Sequence, residues 1–369
     1  MSYYILPKNN NNITIKPLTS DATICEPYLS YSIYNYFNEI KEQIIDTCIC
    51  ESDETVNTFE KIITIVNPYE YVFSVVPGTV YSVSKLKPKT NIFYDFLEVA
   101  TILNIFDSFK NNSISSLHIT KNYEDTIECL EMLREDFHDS NDYLYNVNDE
   151  TLKEISNKKY DFIFFETENE NLQCYIKSFI EIVIIILRNQ NKNGLSVIKI
   201  NHIFHKPIVD LIYLLSSSFE KSYIIKPHTS NITNFDKYII CKNFIIDENK
   251  LIQYKNNFIK LSILLKKIGN KNIHSILECD IPYYFTIKLD DMNVINGQSQ
   301  LETLNNIITI FKNKNKDEKI EVLKKINIQR SINWCEKYKI PCNKFSDKCN
   351  IFLPNMNDTY DKKVDTIYL

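Results

Sequence analysis

Three charged side chains fall where strands of an α/β chain should end. Glu166 closes the apolar run "DFIFFE" (161–166), and Lys199 stands near the end of "LSVIKI" (195–200). Asp236 opens the segment "DKYIIC" (236–241). A lysine in a buried strand costs free energy unless something pairs or uses it. In an open α/β sheet, ligands bind outside the carboxyl ends of the strands. One lysine and two carboxylates meeting there form an acid–base set: the carboxylates orient the lysine, and an apolar floor tunes its pKa downward. The competing reading is an ion pair that holds the sheet edge, or a lysine whose stem lies on apolar surface with its head in water.

Other reactive residues carry less. His202 and His205 form H-x-x-H, but no third ligand lies nearby, so a polar loop after the strand is preferred to a metal site. The ten cysteines are scattered. Cys48 and Cys50 are too close for an ordinary disulfide, and Cys335, Cys342 and Cys349 lack C-x-x-C pairing, which reads as reduced thiols in a cytosol-like compartment. Only four glycines exist, at 78, 194, 269 and 297, so a glycine-rich phosphate or cofactor loop is not available. Trp334 in "INWCEKYKIP" reads as a packing anchor rather than a base-stacking platform.

The elements that must position these residues follow from the apolar pattern. "EYVFSVV" (70–76) reads as a strand ending at Pro77-Gly78, and 91–109 as an amphipathic helix. "SISSLHIT" (113–120) reads as a strand, followed by a helix from "YEDTIECLEMLRED". "YDFIFFET" (160–167) has the near-continuous apolar run of a central parallel strand. A helix follows it and ends at Asn193-Gly194; then come the strand with Lys199 and a helix that opens with proline. "KSYIIKP" and "FDKYIICKNF" read as two strands without an intervening helix. Strands alternating with helices predict a doubly wound, mostly parallel α/β sheet of the Rossmann-like methyltransferase type, with an antiparallel hairpin at one edge. The first twenty residues look loose, and 27–49 has helical spacing. After about residue 250 the segments are helical and Lys-rich, which marks either a solvated face or an RNA-facing side. The expected organisation is an N-terminal extension (1–60), a sheet domain (61–250) and a helical C-terminal extension (251–369).

The chain has 369 residues, 44% of them apolar, enough for a substantial core. Its formal charge of -5 argues against a histone-like nucleic-acid binder without excluding a local basic groove. The most apolar run, "FIEIVIIIL" (179–187), is far too short for a membrane span. The N-terminus lacks the apolar region of a secretory signal, so the expectation is a soluble protein with no membrane partner.

One stretch resembles a known family. "KPHTSNITNFDKYIICKNF" (226–244) is similar to the late motif of FtsJ-like (RrmJ-type) ribose 2'-O-methyltransferases, matched by Lys226, Pro227, Ser230, Asp236, Tyr238 and Phe244 in order and spacing. "NGLSVIKI" and "DFIFFE" resemble two earlier strands of that family. The overall style, with "NPYEYVF" and "INWCEKYKIP", resembles the members found in large cytoplasmic DNA viruses. The resemblance implies S-adenosylmethionine as methyl donor and RNA as substrate, with capped mRNA as a candidate. It implies capping or transcription subunits as partners, in the cytoplasm or a virion. By motif position, Lys199 takes the central lysine of a Lys-Asp-Lys-Glu tetrad. Glu166 stands where the family has Asp, and Asp236 where it has Glu. Lys85 and Lys61 are candidates for the first lysine. Pro77, Gly78 and Glu166 are the implied donor-binding residues, and Glu124 or Asp125 would serve the donor's ribose. The alternative is a catalytically inactive member that binds RNA or a partner.

Overall fold

The apolar run around Phe162 and Phe164 becomes an interior strand of a seven-stranded sheet. The computed structural model describes residues 3–8, 13–21, 26–49, 53–167, 171–268, 271–312 and 317–343. In chain order the elements are β1 (Tyr4–Leu6), β2 (Ile15–Ser20), α1 (Tyr31–Ile44), α2 (Asp53–Val66), α3 (Ile92–Leu103), β3 (Ser115–Ile119), α4 (Tyr123–Leu133), β4 (Ser140–Leu144), α5 (Asp149–Glu154) and β5 (Tyr160–Glu166). There follow α6 (Leu172–Asn189), β6 (Gln190–Ile200), α7 (Lys206–Ser218), β7 (Phe219–Ile225), β8 (Lys237–Phe244), α8 (Glu248–Ile268), β9 (Asn272–Leu277), α9 (Tyr283–Lys312) and α10 (Asp317–Lys337). The chain weaves between two compact units, so neither is a consecutive segment: one takes 1–34, 102–226 and 236–296, the other 35–101, 227–235 and 297–369.

The first unit holds the sheet, in the order β1-β7-β8-β6-β5-β3-β4. Strands β4, β3, β5 and β6 pair in parallel; β8 runs antiparallel to both β6 and β7, and β1 antiparallel to β7. The sheet is therefore mixed α/β and mostly parallel, as the pattern predicts. The expected hairpin of β7 and β8 forms, but β1 lies beyond it at the edge. From β3 the chain moves outward to β4 and returns to β5 on the other side of β3, so the topological switch point lies between β3 and β5. One face of the sheet is buried under α6 and α7, whose Ile182, Ile185, Ile212 and Leu215 have no exposure. Full burial of such side chains stabilises by about 1.5–3 kcal/mol each. A second sheet, β2 with β9, is antiparallel.

Several expectations are corrected. The N-terminal residues are not uniformly loose, because Tyr4–Leu6 and Ile15–Ser20 pair as strands. Asn193-Gly194 does not end a helix. α6 stops at Asn189, and the Asn-Gly pair lies inside β6, with Asn193 at φ 63°. A Cβ on Gly194 would fall 2.1 Å from Gln190 Nε2, so close approach rather than helix capping explains this glycine. The strand β4 went unread because "SNDYL" is polar and pairs on one side only. Its start is fixed by Arg134, which donates to Asp139 at 2.5 and 3.2 Å with both side chains under 5% exposed.

The second unit is mainly helical among its described residues. Here the expected strand at 70–76 does not form: Glu70–Val72 is a single 3₁₀ turn. Asn67 donates to the Glu70 carboxylate at 2.7 Å and Ser74 donates to its other oxygen. Phe73 and Ser74 give their N–H groups to Glu70 O, so local turns satisfy donors that a strand ladder would need. Cys349 lies outside the described residues.

Candidate functional site

Parallel register places Glu166 of β5 directly beside Lys199 of β6, and Lys199 faces Tyr238 of β8. Side chains alternate with period two, so these three project to one face at the carboxyl edge. Lys199 Nζ donates to Glu166 Oε1 at 2.7 Å and stands 3.7 Å from Asp236 Oδ2. The three side chains are 19%, 22% and 21% exposed, neither sealed nor free in water. Glu166 also reaches across the switch point. Its Oε2 accepts from Thr120 Oγ1 at 2.6 Å and from Asn122 Nδ2 at 3.4 Å. Burial alone would raise the Glu166 carboxyl, but the Lys199 charge and these hydrogen bonds outweigh it and hold the pKa below the ordinary value. Buried Tyr238 and Phe164, with ring centroids 6.5 Å apart, supply the expected apolar floor. Two carboxylates beside the lysine head set its charge environment.

Two further lysines adjoin this set. Lys226, directly after β7, donates to Asp236 O at 3.3 Å. The sequence marks it as a matching residue of the FtsJ-like late motif, with no role of its own. Lys237, next to Asp236, is 1% exposed, and burial pushes its pKa down to about 7, helped by the Lys226 charge and opposed by Asp236. Thr120 and Asn122 were not readable either, since polar residues at strand ends are common and nothing in their spacing points to Glu166.

Of the remaining predicted residues, Glu124 and Asp125 share the first unit with this set. Lys85, Pro77, Gly78 and Lys61 belong to the other unit. Lys85 is exposed, and its N–H bonds Pro341 O at 2.8 Å. Pro77 and Gly78 are the central residues of a tight turn closed by Thr79 N to Val76 O at 3.0 Å, with Gly78 at φ 78°. Turn chemistry of this kind wants Pro then Gly, so it accounts for the pair. Asp125 is buried at 1% and Glu124 is exposed, both in the first turn of α4. His202 is pushed down to about 3, first by burial and then by the His205 and Lys237 charges, so its imidazole is neutral near pH 7. Among the described residues no group of three metal-ligating side chains gathers. Trp334 is buried as a packing anchor and donates its Nε1–H to Glu98 at 3.0 Å.

No protein-family model matches the chain. No curated protein matches it either. Solved structures overlap part of it. Phosphoethanolamine N-methyltransferase 2 of Haemonchus contortus, in complex with phosphomonomethylethanolamine and S-adenosylhomocysteine, is 9% identical over 41% of this chain and 39% of that one, with a TM-score of 0.29. The same enzyme with S-adenosyl-L-methionine gives 11% identity over 45% and 43%, with a TM-score of 0.27. The chain spans about two fifths of these proteins' length. Overlaps this slight carry no weight for function. Among the described residues, no helix is long and apolar enough to cross a membrane.

A methyl donor at the switch point would meet Thr120, Asn122, Glu166 and the N-terminus of α4. Asn122 turns its side chain to Glu166 and leaves α4 without a side-chain cap. Glu124 and Asp125 stand in the first turn of α4, so the negative charge there suits the donor's ammonium group rather than its carboxylate.

Proposed function

We propose that this chain is an S-adenosylmethionine-dependent methyltransferase acting on a ribose 2'-hydroxyl of RNA, with the cap-proximal nucleotides of mRNA as candidate substrate. The observation that carries this reading is the Glu166–Lys199–Asp236 set at the carboxyl edge of adjacent strands, beside the switch point. The ordered resemblance of 160–244 to the FtsJ-like family supports it.

The residues have distinct work in this reading. In its neutral form Lys199 Nζ would take the 2'-hydroxyl proton as that oxygen attacks the methyl group, while Glu166 and Asp236 fix where that nitrogen stands. Thr120 and Asn122 hold Glu166 from the far side, so its carboxylate is set before substrate arrives. Lys226 steadies the Asp236 backbone. When bound, the donor's sulfonium supplies an electrophilic methyl group for in-line displacement.

The second reading is a catalytically inactive methyltransferase-fold subunit that binds RNA or a partner in a capping or transcription complex. The loop after β3, Thr120-Lys121-Asn122, favours it, because it has no glycine and both polar side chains already serve Glu166. Incubation of the full chain with labelled donor and capped or uncapped RNA, followed by nuclease digestion, separates the two. The enzyme reading expects 2'-O-methylated nucleotides in the digest. Donor binding without any methylated nucleotide overturns it.

A further inference from the structure

The second unit contains a cluster that methyl transfer does not use. Glu98, in the middle of α3, has no exposure. Its oxygens accept from His228 N at 3.0 Å, His228 Nδ1 at 2.7 Å, Trp334 Nε1 at 3.0 Å and the Tyr338 hydroxyl at 3.4 Å. Thr229 N adds a contact at 3.4 Å, and the Thr229 hydroxyl bonds Asp95 at 2.6 Å. A buried carboxylate satisfied from so many directions is a fixed point.

What it fixes is an imidazole. A carboxylate only accepts, so the short contact puts a proton on His228 Nδ1. Nε2, on the ring's other side, has no hydrogen-bond partner among the described residues, and the side chain is 32% exposed. The Tyr69 ring lies 5.0 Å from the imidazole, tilted by 43°. The Tyr69 hydroxyl also has no hydrogen-bond partner among the described residues. Burial raises its pKa against the opposing Arg330 charge, so it remains a protonated donor. Arg330 is exposed and within electrostatic reach of that hydroxyl, and its own bond is one long contact of 3.3 Å to Asn327 Oδ1.

We propose that His228, Tyr69 and Arg330 form a subsite for a phosphate group of a polynucleotide, with buried Glu98 holding the imidazole in place. The chemistry selects the ligand. The Tyr69 phenol and the imidazole stand side by side with the guanidinium within electrostatic reach; the imidazole, held as Nδ1–H, donates from Nε2 once it takes a second proton, and a guanidinium repels a metal cation while pairing well with phosphate. The half-buried Tyr69 ring beside them offers an edge to an adjoining base. General-base work is disfavoured because the neighbouring hydroxyl, on Thr229, is bonded to Asp95. The choice of a polynucleotide over a free phosphate rests on the RNA reading above.

The test uses the full chain labelled at histidine Cε1, with six histidines to resolve and His228 assigned by substitution. The probes are inorganic phosphate and a 5'-phosphorylated oligouridylate. His228→Asn keeps a donor for Glu98 but removes Nε2, and Arg330→Ala removes the guanidinium. Each variant should weaken oligonucleotide binding about tenfold, the loss of one charge-assisted contact, and the His228 resonance of the wild type should shift on titration. Full oligonucleotide affinity in both variants overturns the subsite, as does a shift with phosphate alone, an adventitious ion only. A wild type that binds no oligonucleotide also overturns it. Donor binding by the same sample then shows whether the methyltransferase reading survives on its own.

Discussion

The contact between Lys199 and Glu166 can be measured as a coupling energy. Lys199→Met removes the ammonium at nearly constant volume and leaves Glu166 facing it unpaired. Breaking a fully buried pair costs about 3–5 kcal/mol, whereas exposed pairs contribute about 0.2–1 kcal/mol. This pair lies between those limits, since each side chain is about a fifth exposed and Glu166 keeps Thr120 and Asn122. We expect Lys199→Met to cost about 2 kcal/mol. Glu166→Gln should cost less, because an amide still accepts from Thr120. The double variant should show a coupling of about 1–2 kcal/mol. Urea denaturation with an unchanged m-value reads all three. The Glu166 pKa in the folded state is lowered below its ordinary value of 4.5. Its contribution is therefore complete above that value and is lost as pH falls through the lower, folded-state pKa. Lys199→Met should flatten that acid limb. A coupling below about 0.3 kcal/mol, the scatter expected of independent sites, would refute the adjacency on which the site rests.

Lys237 has its pKa lowered to about 7 against an ordinary 10.5, so the unfolded chain binds more protons between those values and stability should rise with pH across that window. Lys237→Met should remove the rise and stabilise the protein at pH 7, as read by denaturation at several pH values. Arg134→Ala leaves the Asp139 carboxylate buried without its partner and should cost about 3–5 kcal/mol by the same method. Gly194→Ala drives a methyl group into Gln190, whose side chain already bonds Tyr160 O and Asp161 O, and should cost about 1–3 kcal/mol in thermal unfolding.

The residues that the sequence exposed share one property. Lys199 interrupts an apolar run and Glu166 closes one, and an uncompensated charge in a buried strand has a large energetic signature. Parallel pairing then does the rest, because strands of one direction bring such residues to a common edge. Thr120, Asn122 and Lys226 lacked that signature: their roles depend on which strands become neighbours, and pairing partners are a long-range property. The segment 70–76 misled for the converse reason. Its apolar content suits a strand, but Asn67 and Ser74 bond the Glu70 carboxylate, and Asn67 O and Glu70 O take the nearby backbone N–H groups in local turns. Pro77-Gly78, which the family resemblance assigns to donor binding, forms a tight turn with glycine at positive φ. Strand β1 was hidden by length, since three residues carry too little alternation to read.

Calorimetric titration of S-adenosylmethionine into the full chain, followed by methyl transfer to RNA from the same samples, tests the central claim most directly. Wild type and Lys199→Met should both bind the donor, because Lys199 serves the acceptor hydroxyl, and only the wild type should transfer methyl groups. No heat of binding to the wild type, or transfer by Lys199→Met at the wild-type rate, would contradict the account.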